Sequence, residues 1–376
     1  MAMQTFVFII VPQSPPVKGE NAPTIGKNVD VPNQTTPAKR RATLRDVAQL
    51  AGVDLSTASR LLRNEVEGYR AETRDRVQQA AVQLGYRTNA QARALRLGRQ
   101  ETIAMLVPDL DNFGFTQVLR GVQDACEAHG FTLLISEVRS RTQAGENGLS
   151  ALEGKVDGVL VAFATADDAG VRSWLANLDL PAVLVQRGVP GAEASVLLDE
   201  ERNAATVVDY LVGLGHRDIA HVSGSLRTDT GLRRYRGFED AIARHDLMMR
   251  PQWRADGDFS FEGGRLATLK IMSLPPNRRP TAIAVDSLVE AIGALSALRE
   301  LGISIPAEVS VMAIDEHFIA GQLTPPLTTL RLPQRALGGR AAEMLFDVIL
   351  GQPGSRVIIS DPVEIIERKS TAPPPE

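Results

Sequence analysis

Residues 43–64 read TLRDVAQLAGVDLSTASRLLRN, and this stretch decides the fold of the N-terminal part of the chain. Apolar residues recur at helical spacing on both sides of Gly52, which predicts two short helices joined by a tight turn. Gly52 can adopt a positive φ at the corner, Val53 can fill the angle between the helices, and Asp54 is a good N-cap for the second helix. The stretch therefore predicts a pair of helices set at an angle, with a plain helical hairpin as the alternative.

The outer face of the second helix is polar and basic, since it carries Ser56, Thr57, Ser59, Arg60 and Arg63. The surrounding residues 39–99 hold 13 Lys and Arg against 6 Asp and Glu, a net charge of +7, although the whole chain has −4. Such a split suits a chain in which a small basic part meets nucleic-acid phosphates and a larger acidic part stays off them. A capped helix with this face can lie in a DNA major groove.

Four linked blocks extend the pattern and resemble the opening of the LacI/GalR family of bacterial transcriptional regulators. They are D46-VAQLAG-V53 with S56-TAS-R60, then T73-RDR-V77, then L84-G-Y86, then N89-AQARA-L95. The resemblance implies that Leu55, Ser56 and Arg60 face base edges, and Arg60 is the best candidate for a bidentate contact with guanine. It also implies that Thr57 and Ser59 contact phosphates, which sets the register of the helix on DNA.

The same resemblance implies a hinge helix over residues 89–97, with Asn89, Ala92 and Leu95 at the minor groove. In the family this segment folds on DNA, and the leucine that matches Leu95 is wedged into the operator centre. Small alanines would let two such helices pack closely, and an apolar wedge can bend the duplex by unstacking a base step. A simple interdomain linker helix would have a similar sequence.

Three positions depart from the family pattern. Asp54 and Arg70 stand where serine is usual, and Thr88 replaces a usual proline. An acidic side chain close to phosphates should weaken DNA binding without abolishing it.

Beyond residue 100, short apolar runs alternate with amphipathic helical stretches, which is typical of parallel sheets covered on both faces. A first set of predicted strands comprises 102–108, 131–136, 156–162 and 182–185, and a second set comprises 218–224, 281–285 and 309–314. Two such sheets would leave a ligand cleft at the carboxyl ends of their strands. Because common catalytic and nucleotide-binding motifs are missing, the pattern does not favour an enzyme.

Seven further blocks between residues 108 and 371 match the same family, which implies a two-lobed fold like that of periplasmic sugar-binding proteins. The residues that the family would place in the effector pocket are Asp315, Arg234, Gln186, Phe113, Phe115 and Ser287. Asp315 could instead cap a helix, Arg234 could form an ion pair, and the two phenylalanines could simply close a lobe. Ser287 and Leu288 stand where the family usually has asparagine and aspartate, so the ligand need not be a common hexose.

These features predict an α/β chain with an all-α helix-turn-helix domain and a two-lobed domain with parallel sheets. The predicted segments are a disordered arm or over-extended start (1–38), the helix-turn-helix (39–88), the hinge and linker (89–100), the effector and dimerisation domain (101–373) and a tail (374–376). A cytoplasmic location is expected, because Cys126 is the only cysteine and the apolar run 6–11 is too short for a membrane span.

The predicted function is repression of transcription by a homodimer that binds double-stranded operator DNA and responds to a small molecule, expected to be a sugar or sugar derivative. No cofactor or metal is expected, since the histidines are isolated. Only five residues follow Thr371, so a C-terminal tetramerisation helix is not expected. The alternatives are a regulator of the same family controlled by a protein partner, and a solute-binding protein.

Overall fold

A computed structural model of the chain describes residues 8–9, 42–62, 68–86, 99–138, 152, 154–163 and 178–375. The described residues divide into two compact units, one ending at Gln100 and the other starting at Glu101 and including residues 8–9. Among the helices of these ranges, none has the length and apolar character needed to span a membrane.

Within the described residues of the smaller unit there are three helices, α1 (Leu44–Ala51), α2 (Leu55–Leu61) and α3 (Ala71–Leu84). Thr43 and Asp46 form a capping box at the start of α1, and Gly52 ends that helix with a φ of 64°. The three helices bury a small shared core: Val47, Ala48, Ala51, Ala58, Leu61, Val77, Ala80 and Ala81. The turn between α1 and α2 therefore forms as residues 43–64 predict.

The described part of the larger unit contains two sheets. The first has the order β1-β3-β2-β4-β5-β6-β12 and is parallel throughout. Its strands are β1 (Phe8–Ile9), β2 (Thr102–Val107), β3 (Thr132–Glu137), β4 (Gly158–Val161), β5 (Ala182–Val185), β6 (Ser195–Leu198) and β12 (Arg356–Ile359). The helices α4 (Gly114–His129) and α9 (Gln334–Ile349) pack on it and on each other. We call this assembly lobe 1.

The second sheet has the order β13-β11-β10-β9-β7-β8, and only β13 runs antiparallel to its neighbour. Its strands are β7 (Ile219–Ser223), β8 (Arg254–Asp256), β9 (Ala282–Val285), β10 (Ser310–Ile314), β11 (Thr328–Arg331) and β13 (Glu364–Ile366). Its helices are α5 (Glu200–Gly213), α6 (Asp229–Arg244), α7 (Phe261–Met272) and α8 (Leu288–Glu300), with 3-10 turns at Pro251–Trp253, Pro276–Arg278 and Phe318–Gln322. We call this assembly lobe 2.

Continuous apolar runs explain why both sheets are buried on two faces. Every residue of β4, β6, β7, β9 and β10 is buried, as expected for central parallel strands between helices. The seven strands predicted from these runs are all present, and the predicted α/β fold class is confirmed. Among the elements that the structure describes, the chain passes between the lobes three times, after β6, after β11 and after β12.

Glycines allow α4 and α9 to approach closely in lobe 1. A Cβ atom at Gly338 would lie 2.0 Å from the carbonyl oxygen of Val118, and one at Gly121 would lie 2.0 Å from the carbonyl oxygen of Arg335. Since real Cβ atoms do not come this close, the two helix backbones touch where these glycines meet.

Candidate functional site

The outer face of α2 carries all five residues predicted to contact DNA. Ala58 and Leu61 point into the core of the three helices, so Ser56 and Arg60 are exposed on the opposite side and Leu55 has 44% of its surface exposed. Thr57 and Ser59 are half-buried beside them. The structure thus brings these side chains to one helix face, and their individual contacts with bases or phosphates stay predictions.

Asp54 organises the start of this helix. Its carboxylate accepts the Thr57 backbone N–H at 2.8 Å and the Ser56 and Thr57 hydroxyls at 2.5 and 2.7 Å. These hydrogen bonds hold the pKa of Asp54 well below its usual value, although the side chain is exposed. Both hydroxyls therefore have their protons committed to the cap, and their oxygens remain able to accept hydrogen bonds.

The predicted hinge residues Asn89, Ala92 and Leu95 lie outside the described residues. Their role at the minor groove stays a prediction.

A second group of polar residues lies between the lobes, where the strands of both sheets end. Gln186 follows β5, Asp286 follows β9 and Asp315 follows β10. Gln186 and Asp315 have positive φ values of 66° and 77°, in the left-handed region that non-glycine residues seldom adopt. Strain of this kind is concentrated at functional sites, where the surrounding structure holds it in place.

Arg234, on α6, is the central cation of this cleft. Its guanidinium donates to the two carboxylate oxygens of Glu200 at 2.7 and 3.2 Å and also to the carbonyl oxygen of Asp286. The carboxylate of Asp315 lies 3.9 Å from it. Burial alone would lower the pKa of Arg234, but the charges of Glu200 and Asp315 raise it above its usual value.

Asp315 is 4% exposed and is held from lobe 1 as well as from lobe 2. The amide of Gln334, at the start of α9, donates to it at 2.6 Å. A Cβ at Gly114 would lie 3.0 Å from the other carboxylate oxygen, so that the N-terminus of α4 approaches the same group. Burial raises the pKa of Asp315 to about 6, against the opposing effect of Arg234.

Two further buried acidic side chains, Asp286 and Glu290, accept hydrogen bonds within lobe 2. Asp286 accepts from His221 Nε2 at 2.8 Å and from the Gly224 N–H at 2.9 Å. Glu290 accepts from the Ser287 hydroxyl at 2.6 Å and from the Phe259 N–H at 2.9 Å. Burial and the nearby Asp286 carboxylate raise the pKa of Glu290 well above its usual value.

Backbone and side-chain hydrogen bonds join the lobes beside these acids. The Thr230 hydroxyl donates to the carbonyl of Gln186 at 3.1 Å, and Arg233 donates to the carbonyl of Leu198 at 2.6 Å. The N–H of Gly188 donates to Asp229 at 3.0 Å. The N-terminal turn of α6 is thereby fixed to the ends of two lobe 1 strands.

The predicted pocket residues do not all face the same environment. Phe113 stacks on His317 with ring centroids 4.9 Å apart, whereas Phe115 is 3% exposed and packs in the core of lobe 1. This placement fits the alternative in which Phe115 closes the lobe. Ser287 is buried, and its hydroxyl caps α8 and donates to Glu290. Their roles toward a ligand stay predictions, as do those of Asp315, Arg234 and Gln186.

Sequence reasoning missed several members of this cluster. Glu200, Phe259, Glu290 and Gln334 follow no motif, and each reaches the cleft through a long-range contact. One signal was available, since a glutamate inside the apolar stretch of α8 indicates a buried acid with hydrogen-bond donors nearby.

His216 and Cys126 have structural surroundings. His216 contacts the Thr281 hydroxyl and the Ala372 carbonyl, each at 2.9 Å, and burial lowers its pKa. Burial raises the pKa of the Cys126 thiol to about 12, so it is not a reactive thiolate. Within the described ranges, no three His, Cys, Asp or Glu side chains come close enough together to hold a metal ion.

Two family models match the chain. Residues 43–89 match the model for bacterial regulatory proteins of the lacI family, and residues 208–371 match the model for a periplasmic binding protein-like domain. The first match covers α1, α2 and α3, and the second covers most of lobe 2.

Curated relatives match almost over their full length. The HTH-type transcriptional repressor PurR of Aliivibrio fischeri (strain MJ11) is 31% identical over 331 residues, which cover 88% of this chain and 98% of the relative. The protein of the same name from Histophilus somni (strain 129Pt) is 32% identical over 331 residues, with the same coverage.

Solved structures share the fold. The lac repressor dimer bound to operator and the anti-inducer ONPF superposes with a TM-score of 0.73 and 26% identity, covering 89% of this chain and all of the repressor chain. The transcriptional regulator CelR in complex with cellobiose has a TM-score of 0.67 and 27% identity, covering 88% and 100%.

Proposed function

Because the chain belongs to the lacI family of bacterial regulatory proteins, we propose that it is a repressor whose affinity for operator DNA is set by a small molecule held between its lobes. As a member of this family it is a DNA-binding transcriptional repressor and not an enzyme. The proposal concerns the effector, its site and the DNA contacts of individual residues.

The observation that carries the effector proposal is the position of Arg234 and Asp315. The guanidinium of Arg234 and the carboxylate of Asp315 lie 3.9 Å apart at the carboxyl ends of the strands. They lie between two lobes that are connected by the three chain crossings described above. Groups of this kind bind hydroxyl or amide groups of a ligand along fixed directions. A ligand that contacts both lobes stabilises one lobe arrangement over another, which is how occupancy would change DNA affinity.

Two ligand classes are candidates. A sugar or sugar derivative is supported by the CelR complex with cellobiose, a protein with the same two lobes. A purine-related ligand is supported by the curated relatives, whose name, PurR, refers to purine regulation in those proteins. The replacement of the usual asparagine and aspartate by Ser287 and Leu288 supports the second class, because it removes two partners for sugar hydroxyls.

We infer a homodimer on a pseudo-palindromic operator, with one α2 helix in the major groove of each half-site. The operator-bound lac repressor, which is a dimer, supports this arrangement. Arg60 would supply the main base contact of α2 and Leu95 the wedge at the operator centre. Control by a protein partner remains the second candidate, supported only by the altered residues at 287 and 288. A cytoplasmic location stays a prediction.

The test combines DNA affinity with ligand binding. The full chain would be titrated with DNA from upstream of its own gene, in the presence of purine bases, nucleosides, sugars and their phosphates. A ligand that raises the melting temperature and also changes operator affinity would support the proposal. Operator binding that no ligand of the panel alters would favour control by a protein partner.

The DNA contact is tested with Arg60→Ala and with Arg76→Ala, which removes the same charge from the exposed face of α3. Arg60→Ala should reduce the ratio of operator affinity to random-DNA affinity by about 10- to 100-fold, which is the discrimination that one bidentate base contact contributes. Arg76→Ala should weaken binding to both DNAs alike. Equal discrimination by the two variants would contradict the role of Arg60.

A further inference from the structure

Arg187 is a buried cation that the proposed site does not yet use. It follows β5 directly after Gln186, and only 9% of its surface is exposed. Its guanidinium carbon lies 5.8 Å from the ring centroid of Phe259, which belongs to lobe 2. The side chain of this lobe 1 residue therefore crosses the cleft toward the opposite lobe.

No ion pair or hydrogen bond holds this guanidinium within the described part of the chain. The other two arginines of the cleft are paired: Arg233 with Asp229 at 3.0 Å and Arg234 with Glu200 at 2.7 Å. Asp258 raises the pKa of Arg187 from a distance, but burial dominates and lowers that pKa to about 10. At neutral pH Arg187 thus keeps its charge although the side chain is largely buried, and Asp258, the acid that acts on it, does not come close enough to form an ion pair.

A charge in this position is unfavourable unless something pairs with it. The face of the Phe259 ring offsets only a small part of this cost, since 5.8 Å is near the outer limit of a cation–π contact. Neither helix packing nor sheet formation in lobe 1 requires a guanidinium at this position, which follows the end of a strand. The unpaired cation therefore points to a ligand.

Two residues adjacent in the chain to this contact carry buried polar atoms that lack a hydrogen-bond partner. The Oε1 atom of Gln186 and the hydroxyl of Ser223 are buried without a hydrogen-bond partner in the described structure. Ser223 ends β7 and precedes Gly224, which the ring of Phe259 covers so tightly that a Cβ there would lie 2.0 Å from it. The residues that carry these two atoms are thus the chain neighbours of Arg187 and Gly224, both of which face the ring of Phe259.

The turn that carries Phe259 is itself held in position. Asp258 and Phe259 have φ values of 54° and 56°, and the buried carboxylate of Glu290 accepts the Phe259 N–H at 2.9 Å. The position of the ring opposite Arg187 is therefore maintained by the protein before any ligand binds.

We propose that the effector carries an anionic group, a carboxylate or a phosphate, that forms an ion pair with Arg187 while its uncharged polar groups contact Gln186 and Ser223. Arg234 cannot fill this role, because Glu200 and Asp315 already neutralise it. This inference rests on the proposed effector function and narrows its ligand to acidic compounds such as sugar acids, sugar phosphates or nucleotides.

The experiment uses matched ligands with and without the charge. The full chain is titrated by calorimetry with glucose, gluconate and glucose 6-phosphate, with ribose and ribose 5-phosphate, and with inosine and inosine monophosphate. We expect binding within at least one series to be about 30-fold tighter for the acidic member than for its neutral parent. Comparison of gluconate with the phosphorylated ligands shows whether the anionic group is a carboxylate or a phosphate.

The variant Arg187→Met removes the cation and keeps much of the side-chain volume. It should lower the affinity for the acidic ligand by about 30-fold. It should also raise the melting temperature of the ligand-free protein, because an unpaired buried charge is lost. Arg236→Met removes the same charge from the exposed face of α6 and should do neither. Arg187→Lys keeps the charge and should retain part of the affinity.

The outcomes separate this inference from the proposed function. A neutral compound that binds, changes operator affinity and is indifferent to Arg187→Met would keep the effector function and overturn the anionic ligand. An acidic compound that binds through Arg187 without changing operator affinity would support the site and overturn the effector function. A lower melting temperature for ligand-free Arg187→Met would show that Arg187 is structural and would overturn the inference, as would a panel in which nothing binds.

Discussion

Arg234 and Glu200 form a two-point ion pair in the interior of the larger unit, with side chains that are 1% and 0% exposed. Glu200 is the first residue of α5, where the chain first crosses from lobe 1 to lobe 2, and Arg234 lies on α6 of lobe 2. Glu200, which lies where the chain crosses between the lobes, therefore holds the guanidinium of Arg234 in position in the absence of a ligand.

Removal of one partner of this pair should be costly. Glu200→Gln leaves Arg234 with less than its full counter-charge, and we expect a loss of about 3 kcal/mol in the free energy of unfolding. The double variant Glu200→Gln with Arg234→Met should be more stable than Glu200→Gln alone, because no buried cation is left. Urea denaturation of the full chain measures both.

The matched control is the exposed pair of Glu262 and Arg265 on α7, with a shortest distance of 2.8 Å. Glu262→Gln should cost no more than about 1 kcal/mol, as for other surface ion pairs. A cost for Glu200→Gln as small as that of the control would contradict the importance of the buried pair.

Replacement of Asp54 should strengthen DNA binding. In Asp54→Ser a hydroxyl can still cap α2, while a negative charge is removed from beside the predicted phosphate contacts. We expect operator affinity to rise by about three- to tenfold at moderate salt, with the gain shrinking as salt increases. Fluorescence anisotropy at several salt concentrations measures this effect.

Asp75→Ser provides the comparison, since it removes an equal charge from an exposed position on α3. If both variants raise operator affinity to the same extent, the position of Asp54 at the start of α2 has no special effect.

Asp315 should make the stability of the protein depend on pH between about 4 and 6. Its pKa rises from 3.8 to about 6 in the folded chain, so the folded state binds the proton more tightly than the unfolded state. This contribution favours folding at low pH and is lost as the pH rises through 6. From pH 5 to pH 7 it should lower the free energy of unfolding by about 1 kcal/mol.

Asp315→Asn removes the titrating group, so the difference in stability between pH 5 and pH 7 should change by about 1 kcal/mol relative to the unmodified chain. Chemical denaturation at both pH values tests this. An unchanged difference would mean that Asp315 is not protonated in the folded protein near pH 5.

Gly338 should tolerate no larger residue. In Gly338→Ala the new methyl group would overlap the Val118 carbonyl, so α4 and α9 would have to separate, at a cost of about 1–3 kcal/mol. Gly339→Ala is the control, because its Cβ would lie 3.7 Å from the carbonyl oxygen of Gly121, an ordinary contact distance, and alanine favours a helix by up to about 1 kcal/mol. Equal melting temperatures for the two variants would contradict the close contact of the helices.

Local sequence patterns were sufficient for much of this fold. The turn at Gly52, the cap at Asp54 and the buried strands depend on residues that are neighbours in the sequence. The short strands β6 and β11 and the edge strands β1, β8, β12 and β13 were not predicted, because short or half-exposed runs do not differ from loops in composition.

The cleft was less predictable than the sheets. Asp315, Arg234 and Gln186 were selected by resemblance, but their partners come from elements far apart in the chain. Gln334 lies 19 residues after Asp315 and Glu200 lies 34 residues before Arg234, and no spacing rule joins them. That Arg187 lacks a partner could be seen only in three dimensions.

The three crossings between the lobes also constrain how the protein is made. Strand β12 completes the sheet of lobe 1, yet roughly 250 residues separate it from β2, so at about 5–20 residues per second the ribosome needs tens of seconds to supply it. The sheet of lobe 2 is complete only after β13 has been synthesised, and β13 follows β12 directly in the chain. The three-helix unit, in contrast, is contiguous and can fold early. A nascent chain would thus contain its folded three-helix unit well before either sheet is complete, and a chain truncated before residue 350 would lack an edge strand in both sheets.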